Sequence, residues 1–459
     1  MAYVLDLELH PNQQIIYDDP HRFKVIAAGR QFGKTRLVTR AAAGISLTKR
    51  ESIGMVVAPY AKQAYKDWRE ILRFTPQQYI EEKSAKWMTF SLKNKSEIMM
   101  GSAENIDGLR GYTLDWAIVD EAAYCDQEVW EVLEPALGKQ KGQGFFISTP
   151  NGKGWFWDLY NREGNDSQFK SFHFTTYDNP TFPVSEIERM KQNMPELMFR
   201  QEVMAEFLEG GIVFPHLKEL MTSTPREPVP AHNYVTGADI ASTNDFTVIK
   251  TFDAADNHEV NSVRLTNRDW SFIRGTIYSV CKHYNNAWLF VDKTGVGAPV
   301  VEDLERMDCQ YPGAAKQGRL RVVPIVFSSV SKPQLYSNYI MAQENRTVHL
   351  LPDPVTEKEH QDFMMTKGQG STGYMKYGAP KGRHDDTVTA CALAVWGLNE
   401  YGGNVLAGPY TQDEFDKEKK KQFDPSAQID VESIIRKSES KQIAGLSDDE
   451  DINISPNYD

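Results

Sequence analysis

No stretch of this 459-residue chain approaches the roughly 18 apolar residues that a membrane-spanning helix requires. Met1 to His10 lacks the basic start and apolar run of a secretory signal. Cysteine is scarce: Cys125, Cys281, Cys309 and Cys391 stand far apart, with no C-x-x-C spacing, and no H-x-x-x-H pair occurs either. That pattern argues against a zinc cluster and for a reducing compartment, so the expectation is a soluble intracellular protein. Positive charge is also in deficit. The formal net charge is −12, which taken alone disfavours a nucleic-acid partner. The stretch from Tyr401 to Asp459, with 7 Lys+Arg against 13 Asp+Glu, supplies half of that excess. The rest of the chain is only mildly acidic and leaves room for local basic surfaces.

What is present is ordinary for a globular protein: 41% hydrophobic and 25% charged residues exclude wholesale disorder and fibrous classes. At about 150 residues per domain, the length suggests two or three domains. Residues 1–208 alternate short β-rich runs with helical stretches. Strands are expected at Phe23–Ala28, Ile53–Ala58, Trp116–Asp120 and Gly144–Ser148, and a helix from Lys34 to about Leu47. This alternation implies an α/β unit with a parallel sheet. Residues 209–230, dotted with Gly and Pro, read as a linker. From 231 to 400 the pattern changes. Strands Tyr234–Ile240, Thr247–Phe252 and Glu259–Leu265 look antiparallel, and Trp288–Asp292, Leu320–Phe327 and two helices, Ser331–Asn345 and Asp385–Leu398, suggest a mixed α/β unit. Residues 401–459 read as an acidic, flexible tail with one short helix near Val431–Lys437.

The first unit carries Ala28-Gly29-Arg30-Gln31-Phe32-Gly33-Lys34-Thr35 between strand and helix. Backbone amides of Gly29, Gln31 and Gly33 can wrap phosphates at a helix N-terminus, Lys34 adds a point charge, and the Thr35 hydroxyl can ligate Mg²⁺. Ala28 stands where the strict phosphate-loop pattern has its first glycine. An apolar strand ending in Asp120-Glu121 supports the same reading: Asp120 reaches the Mg²⁺ shell, and Glu121 orients and polarises water. Gln13 precedes the first strand, where its amide would read adenine. Thr149 of Ser148-Thr149-Pro150-Asn151-Gly152 would sense the γ-phosphate. Arg30 and Arg110 are candidates for transition-state charge, with a surface salt bridge as the bland alternative for either.

The second unit carries carboxylates at strand and helix ends: Asp239, Asp245, Asp292, Asp385 and Asp386. Singly, such residues make turns and helix caps. Together, at about 5 Å and an effective dielectric near 20, each like-charge pair costs about 3 kcal/mol. A fold keeps such a cluster only with cations, and hard oxygen donors suit Mg²⁺ or Mn²⁺ in a two-ion phosphodiesterase. Between Thr366 and Arg383 lie Lys367, Lys376, Lys381 and Arg383, with five glycines and no acid. This is the composition of a loop that holds a nucleic-acid backbone.

These residues resemble the large terminase subunit of tailed bacteriophages. The resemblance rests on A-x-R-Q-x-G-K-T, on I-V-D-E-A and S-T-P-N-G, and on Asp239, Asp292 and His384-Asp385-Asp386. It implies an ASCE-type P-loop ATPase domain followed by a ribonuclease H-like nuclease, powered by ATP with one Mg²⁺ and cutting with two ions. In that family the phosphate-loop arginine, here Arg30, acts near the γ-phosphate. A second arginine, matched by Arg110, reaches into a neighbouring subunit's site in some members. The family further implies double-stranded DNA, a portal protein and a small terminase subunit as partners, and a homo-oligomeric ring, expected to be a pentamer, in the cytoplasm of the infected host. The alternative of another class is a nucleotide-binding assembly scaffold with a structural metal and no nuclease activity.

Overall fold

The structure, a computed structural model, describes residues 6–208, 213–240, 246–296, 298–306, 320–328, 330–367 and 375–401. The first eight strands are β1 (Phe23–Ala28), β2 (Ile53–Ala58), β3 (Ile80–Ser84), β4 (Thr89–Leu92), β5 (Glu97–Ser102), β6 (Trp116–Asp120), β7 (Gln143–Ser148) and β8 (Phe169–Phe174). They form one sheet in the order β3-β4-β5-β2-β6-β7-β1-β8. The stretch from β5 to β8 is parallel, and β3 and β4 add an antiparallel margin. The apolar runs of β1, β6 and β7 are buried on both faces because helices cover both sides, as a parallel sheet demands.

One residue of β1 breaks the apolar run. Lys24 is buried, its ammonium lying 4.4 Å from the Phe145 ring centre and 3.3 Å from the Tyr17 carbonyl. Burial pushes its pKa down to about 8.

The second sheet has the order β11-β10-β9-β12-β13, from β9 (Tyr234–Asp239), β10 (Thr247–Asp253), β11 (His258–Leu265), β12 (Trp288–Asp292) and β13 (Arg321–Ile325). β9, β10 and β11 are antiparallel neighbours, whereas β9, β12 and β13 run parallel. A hairpin of β14 (Met364–Lys367) and β15 (Met375–Gly378) stands apart. The Asp386–Tyr401 helix lies on β9, β10 and β12. A Cβ on Gly237 would collide with the Ala390 carbonyl and the Ala394 amide, so helix and strand backbones touch.

Two charges lie in this second core. Lys250 and Glu259 are fully buried and paired at 2.8 Å. Lys250 Nζ also donates to Thr356 Oγ1 at 3.0 Å, and the other Glu259 oxygen accepts the Leu351 amide at 2.8 Å. Each charge therefore has a partner and additional hydrogen bonds, which is the condition for keeping a buried ion pair.

The segment expected as a linker is packed rather than free where it is described. Val213, Phe214 and Leu217 join the core of the second sheet beside Tyr339 and Phe363. The short Leu217–Leu220 helix and the Leu350 amide bond that Leu220 accepts bind it there. The reason is visible in its apolar residues, which the prolines and glycines around them mask. The acidic tail, Val431–Lys437 included, lies outside the described residues.

Candidate functional site

Parallel strands present their C-terminal ends, and the loops beyond them, along one edge of a sheet. Along that edge β1 leads into the phosphate loop, β7 into Thr149, and β6 into Asp120-Glu121. Ala28 is still a strand residue, paired with Phe174, so its position needs no glycine. The glycine requirement begins at Gly29, where a Cβ would stand 2.5 Å from the Val203 carbonyl and 2.8 Å from the Thr176 amide. Gln31 and Gly33 take left-handed backbone, with φ of 61° and 95°, and the Lys34–Thr48 helix starts at once. Its first amides and positive dipole end face the loop, which suits an anion.

Lys34 is buried at the centre of this arrangement. Its ammonium donates to Thr149 Oγ1 at 2.6 Å and lies 3.8 Å from Glu121 Oε1. Glu121, itself in left-handed backbone with φ 49°, accepts from Ser148 Oγ at 3.2 Å. Asp120 is buried, with one oxygen receiving the Gln63 amide at 3.0 Å and the other without a hydrogen bond. Burial and then the neighbouring Glu121 raise its pKa. Asp67, one turn beyond Gln63, is buried too, and burial followed by Asp120 raises its pKa. A buried carboxylate with an unsatisfied oxygen, within the electrostatic reach of Lys34, fits a hard divalent cation accompanying a phosphate.

Three predicted residues fall out differently. Gln13 lies against the phosphate loop. It is buried, its amide nitrogen donates to the Gly33 carbonyl at 2.9 Å, and its oxygen accepts the His10 amide at 3.2 Å. Both ends of the side chain are spent on bracing the loop. Arg30 points to Glu202, with which it forms an ion pair. Arg110 stands exposed between Glu128, at 3.0 Å, and Asp107, at 3.4 Å. Ser148, Gln63 and Glu202 were not picked from sequence. Ser148 alone had a local signal, as the hydroxyl preceding Thr149.

In the second sheet Asp239 ends β9 and Asp292 ends the parallel neighbour β12, so both carboxylates leave the same edge. Asp386 opens the helix that rests on β9. It is four and eight residues before Ala390 and Ala394, the residues touching Gly237, and therefore shares their helix face. The three acids converge electrostatically. Asp239 has its pKa raised well above the carboxylate range, by burial first and then by Asp386, Asp385 and Asp292. Lys332, on the Ser331–Glu344 helix, opposes that shift and was not foreseen. The Asp292 side chain also receives the Thr294 amide at 2.7 Å. Among the described residues no three His, Cys, Asp or Glu side chains are gathered into a closed metal-ligand group. The fit is therefore one of chemistry: only oxygen donors, mutually repelling, at the ends of rigid elements. Asp245 lies outside the described residues.

Of the basic residues, Lys381 and Arg383 are exposed on the turn before Asp385, and Arg383 pairs with Asp362 at 3.3 Å. Lys367 and Lys376 lie opposite one another's neighbours on β14 and β15, and their side chains are outside the described residues.

A family described as "Terminase large subunit, T4likevirus-type, N-terminal" matches residues 25–220. The large terminase subunit of Thermus virus P23-45 is 29% identical over 328 residues, 65% of this chain and 64% of that protein. The large terminase subunit of Thermus phage G20c is 26% identical over 445 residues, 85% of this chain and 88% of that protein. The alignment thus spans just under two thirds of the first relative and most of the second. Among solved structures, the large terminase of the thermophilic bacteriophage D6E superposes with a TM-score of 0.52 at 14% identity, covering 85% of this chain and 98% of that one. The fold is accordingly a P-loop-type parallel sheet followed by a ribonuclease H-like mixed sheet.

Proposed function

We propose, from a chain that is related to the large terminase subunits of tailed bacteriophages, an ATP-driven motor that moves double-stranded DNA into a procapsid and cuts it with a built-in metal-dependent endonuclease. One observation carries this reading: the same chain presents a phosphate loop with Lys34, Thr149 and Glu121 in mutual reach at one sheet edge, and Asp239, Asp292 and Asp386 at another.

In the first site Gly29, Arg30, Gln31 and Gly33 bind ATP phosphates through the loop backbone, and Lys34 exchanges its Thr149 hydroxyl for phosphate oxygens. Thr35 and Asp120 would hold the single Mg²⁺, which supplies charge neutralisation. Glu121 orients the attacking water, with Ser148 fixing one of its carboxylate oxygens. Thr149, released by Lys34, registers the γ-phosphate. Arg30 supplies charge from within the subunit once it leaves Glu202, and the exposed Arg110 supplies it to a neighbour in the ring.

In the second site Asp239, Asp292 and Asp386, with Asp385 and Asp245 as further candidate ligands, would hold two Mg²⁺ or Mn²⁺ ions, which supply Lewis-acid charge to a phosphodiester. Lys367, Lys376, Lys381 and Arg383 hold the DNA backbone beside them. The portal protein, the small terminase subunit and further copies of this chain are the packaging partners, met in the cytoplasm of the infected host. The reading divides the chain into a motor (1–208), a connecting segment (209–230), a nuclease (231–400) and a tail (401–459).

The test uses the purified full chain. It should hydrolyse ATP with Mg²⁺ and nick plasmid DNA with Mn²⁺. Lys34→Ala or Glu121→Gln should abolish the first activity and spare the second, and Asp292→Asn should do the reverse. A chain that binds nucleotide but neither hydrolyses it nor cuts DNA would be the scaffold instead.

A further inference from the structure

Glu359 belongs to neither group of predicted site residues, yet two paths lead from it to Asp386. It sits on the Pro354–Asp362 helix with its side chain buried. Its Oε2 accepts the Thr387 amide at 2.8 Å, the backbone donor immediately after Asp386. The first amides of a helix have no partner within the helix, so a carboxylate there both satisfies a donor and meets the positive dipole end. Its Oε1 accepts from Arg264 Nη2 at 3.2 Å. The Arg264 guanidinium lies 3.6 Å from the centre of the Phe246 ring. Phe246 stands edge-on to His384 at 5.2 Å between ring centres, and His384 Nδ1 is 3.7 Å from Asp386 Oδ2. The Glu359–Arg264 pair therefore touches the start of this helix at the backbone and, through Phe246 and His384, at the Asp386 side chain.

The helix that carries Glu359 is itself held. Asp353 caps it by accepting the Thr356 amide at 2.8 Å, and the buried Lys250 bonds Thr356 Oγ1. A free negative charge at this place would add to the repulsion among Asp239, Asp385 and Asp386. Arg264 offsets that charge, so Glu359 can cap the helix without loading the cluster.

We propose that Glu359, with Arg264 as its counter-ion, is a positioning residue for Asp386 in the nuclease site, fixing where this carboxylate meets a divalent cation. This rests on the nuclease reading of Asp239, Asp292 and Asp386. The comparison that isolates it is Glu359→Gln against Glu359→Met in the full chain. Both remove the charge and both keep the volume, but only Gln retains an acceptor for the Thr387 amide.

Loss of an outer group that orients a metal ligand typically costs 10–100-fold in metal affinity or activity. The Mn²⁺ concentration for half-maximal plasmid nicking should therefore rise by about tenfold more in Glu359→Met than in Glu359→Gln. The maximal rate at saturating Mn²⁺ should separate them less, and ATPase activity should be unchanged in both. Direct Mn²⁺ titration followed by the electron paramagnetic resonance of free Mn²⁺ should show the same difference without any turnover. Should Glu359→Met not fold, Glu359→Asp, one methylene short of the Thr387 amide, carries the same expectation. Equal Mn²⁺ dependence in the Gln variant and its folded counterpart would overturn the proposal. A wild-type chain that binds Mn²⁺ but never nicks DNA would instead overturn the nuclease reading, while the binding titration still decides the role of Glu359.

Discussion

Replacing Lys250 by methionine should be among the most destabilising single changes in the second sheet, and its cost should depend on pH. Lys250 and Glu259 are paired at 2.8 Å with no exposure on either side. At an effective dielectric near 20 that separation corresponds to a gross attraction of about 6 kcal/mol, most of which offsets the desolvation of the two ions. Removing one partner leaves the other buried and uncompensated, a change that costs about 3–5 kcal/mol. For a cooperative unit of 150–250 residues, where 1 kcal/mol shifts Tm by roughly 2–4 °C, a loss near 4 kcal/mol would lower Tm by roughly 8–16 °C. The sign of the pH dependence follows from Glu259, whose pKa burial already raises. Without Lys250 the folded state binds a proton there more tightly than the unfolded state does. Lys250→Met should then lie close to wild type near pH 4.5 and fall progressively behind as pH rises through the folded-state pKa. Adding Glu259→Gln removes the stranded charge and keeps an acceptor for the Leu351 amide, so the double variant should recover most of the loss. Urea melts of the wild type, the single and the double variant at pH 5 and pH 8 measure all three quantities. A single-variant cost below about 1 kcal/mol at pH 8, or no recovery in the double variant, would refute the reasoning.

Asp239→Asn should abolish nicking and, in EDTA, raise Tm at pH 8, because the raised pKa of Asp239 means that its charge opposes folding as pH rises; an unchanged Tm would count against the cluster. Lys24→Met should stabilise the first sheet at pH 7. Its folded pKa of about 8 lies below the usual lysine value, so the wild type gains stability between pH 8 and pH 10.5 and the advantage of methionine should shrink over that interval in thermal melts. His360 is buried and hydrogen-bonded to the Tyr339 hydroxyl at 2.6 Å and the Thr356 carbonyl at 2.7 Å, with a pKa pushed down to about 3. Stability should therefore fall as pH drops from about 6.5 toward 3, and His360→Gln should flatten that slope in acid titrations followed by near-ultraviolet circular dichroism.

Local signals served well where function and chain continuity coincide. The β1 strand, its loop and the following helix could be read from the sequence because five apolar residues around Lys24, two glycines and a helical run are contiguous. The ends of β9 and β12 were legible for the same reason, each an apolar run closed by an aspartate. The bracing of the loop by Gln13 was not legible because it depends on Gly33 and Phe32, about 20 residues away, and an exposed and a buried glutamine look alike in sequence. Glu202, Lys332, Glu359 and Arg264 gave no signal at all: each acts through a partner far along the chain, and only packing brings them together. The margin strands β3 and β4 were missed too, since their solvent-facing residues break the apolar pattern.

The contact between Gly237 and the Asp386–Tyr401 helix has a consequence for how this protein can change over generations. Where two backbones touch, no side chain is left to absorb a substitution, and the gap between the β9 terminus and the helix start behaves as a rigid gauge. Drift elsewhere, in the β14–β15 hairpin or across the exposed turn at Lys381, leaves that gauge unchanged. A designer reshaping this unit would redraw the hairpin and leave Gly237, Ala390 and Ala394 untouched.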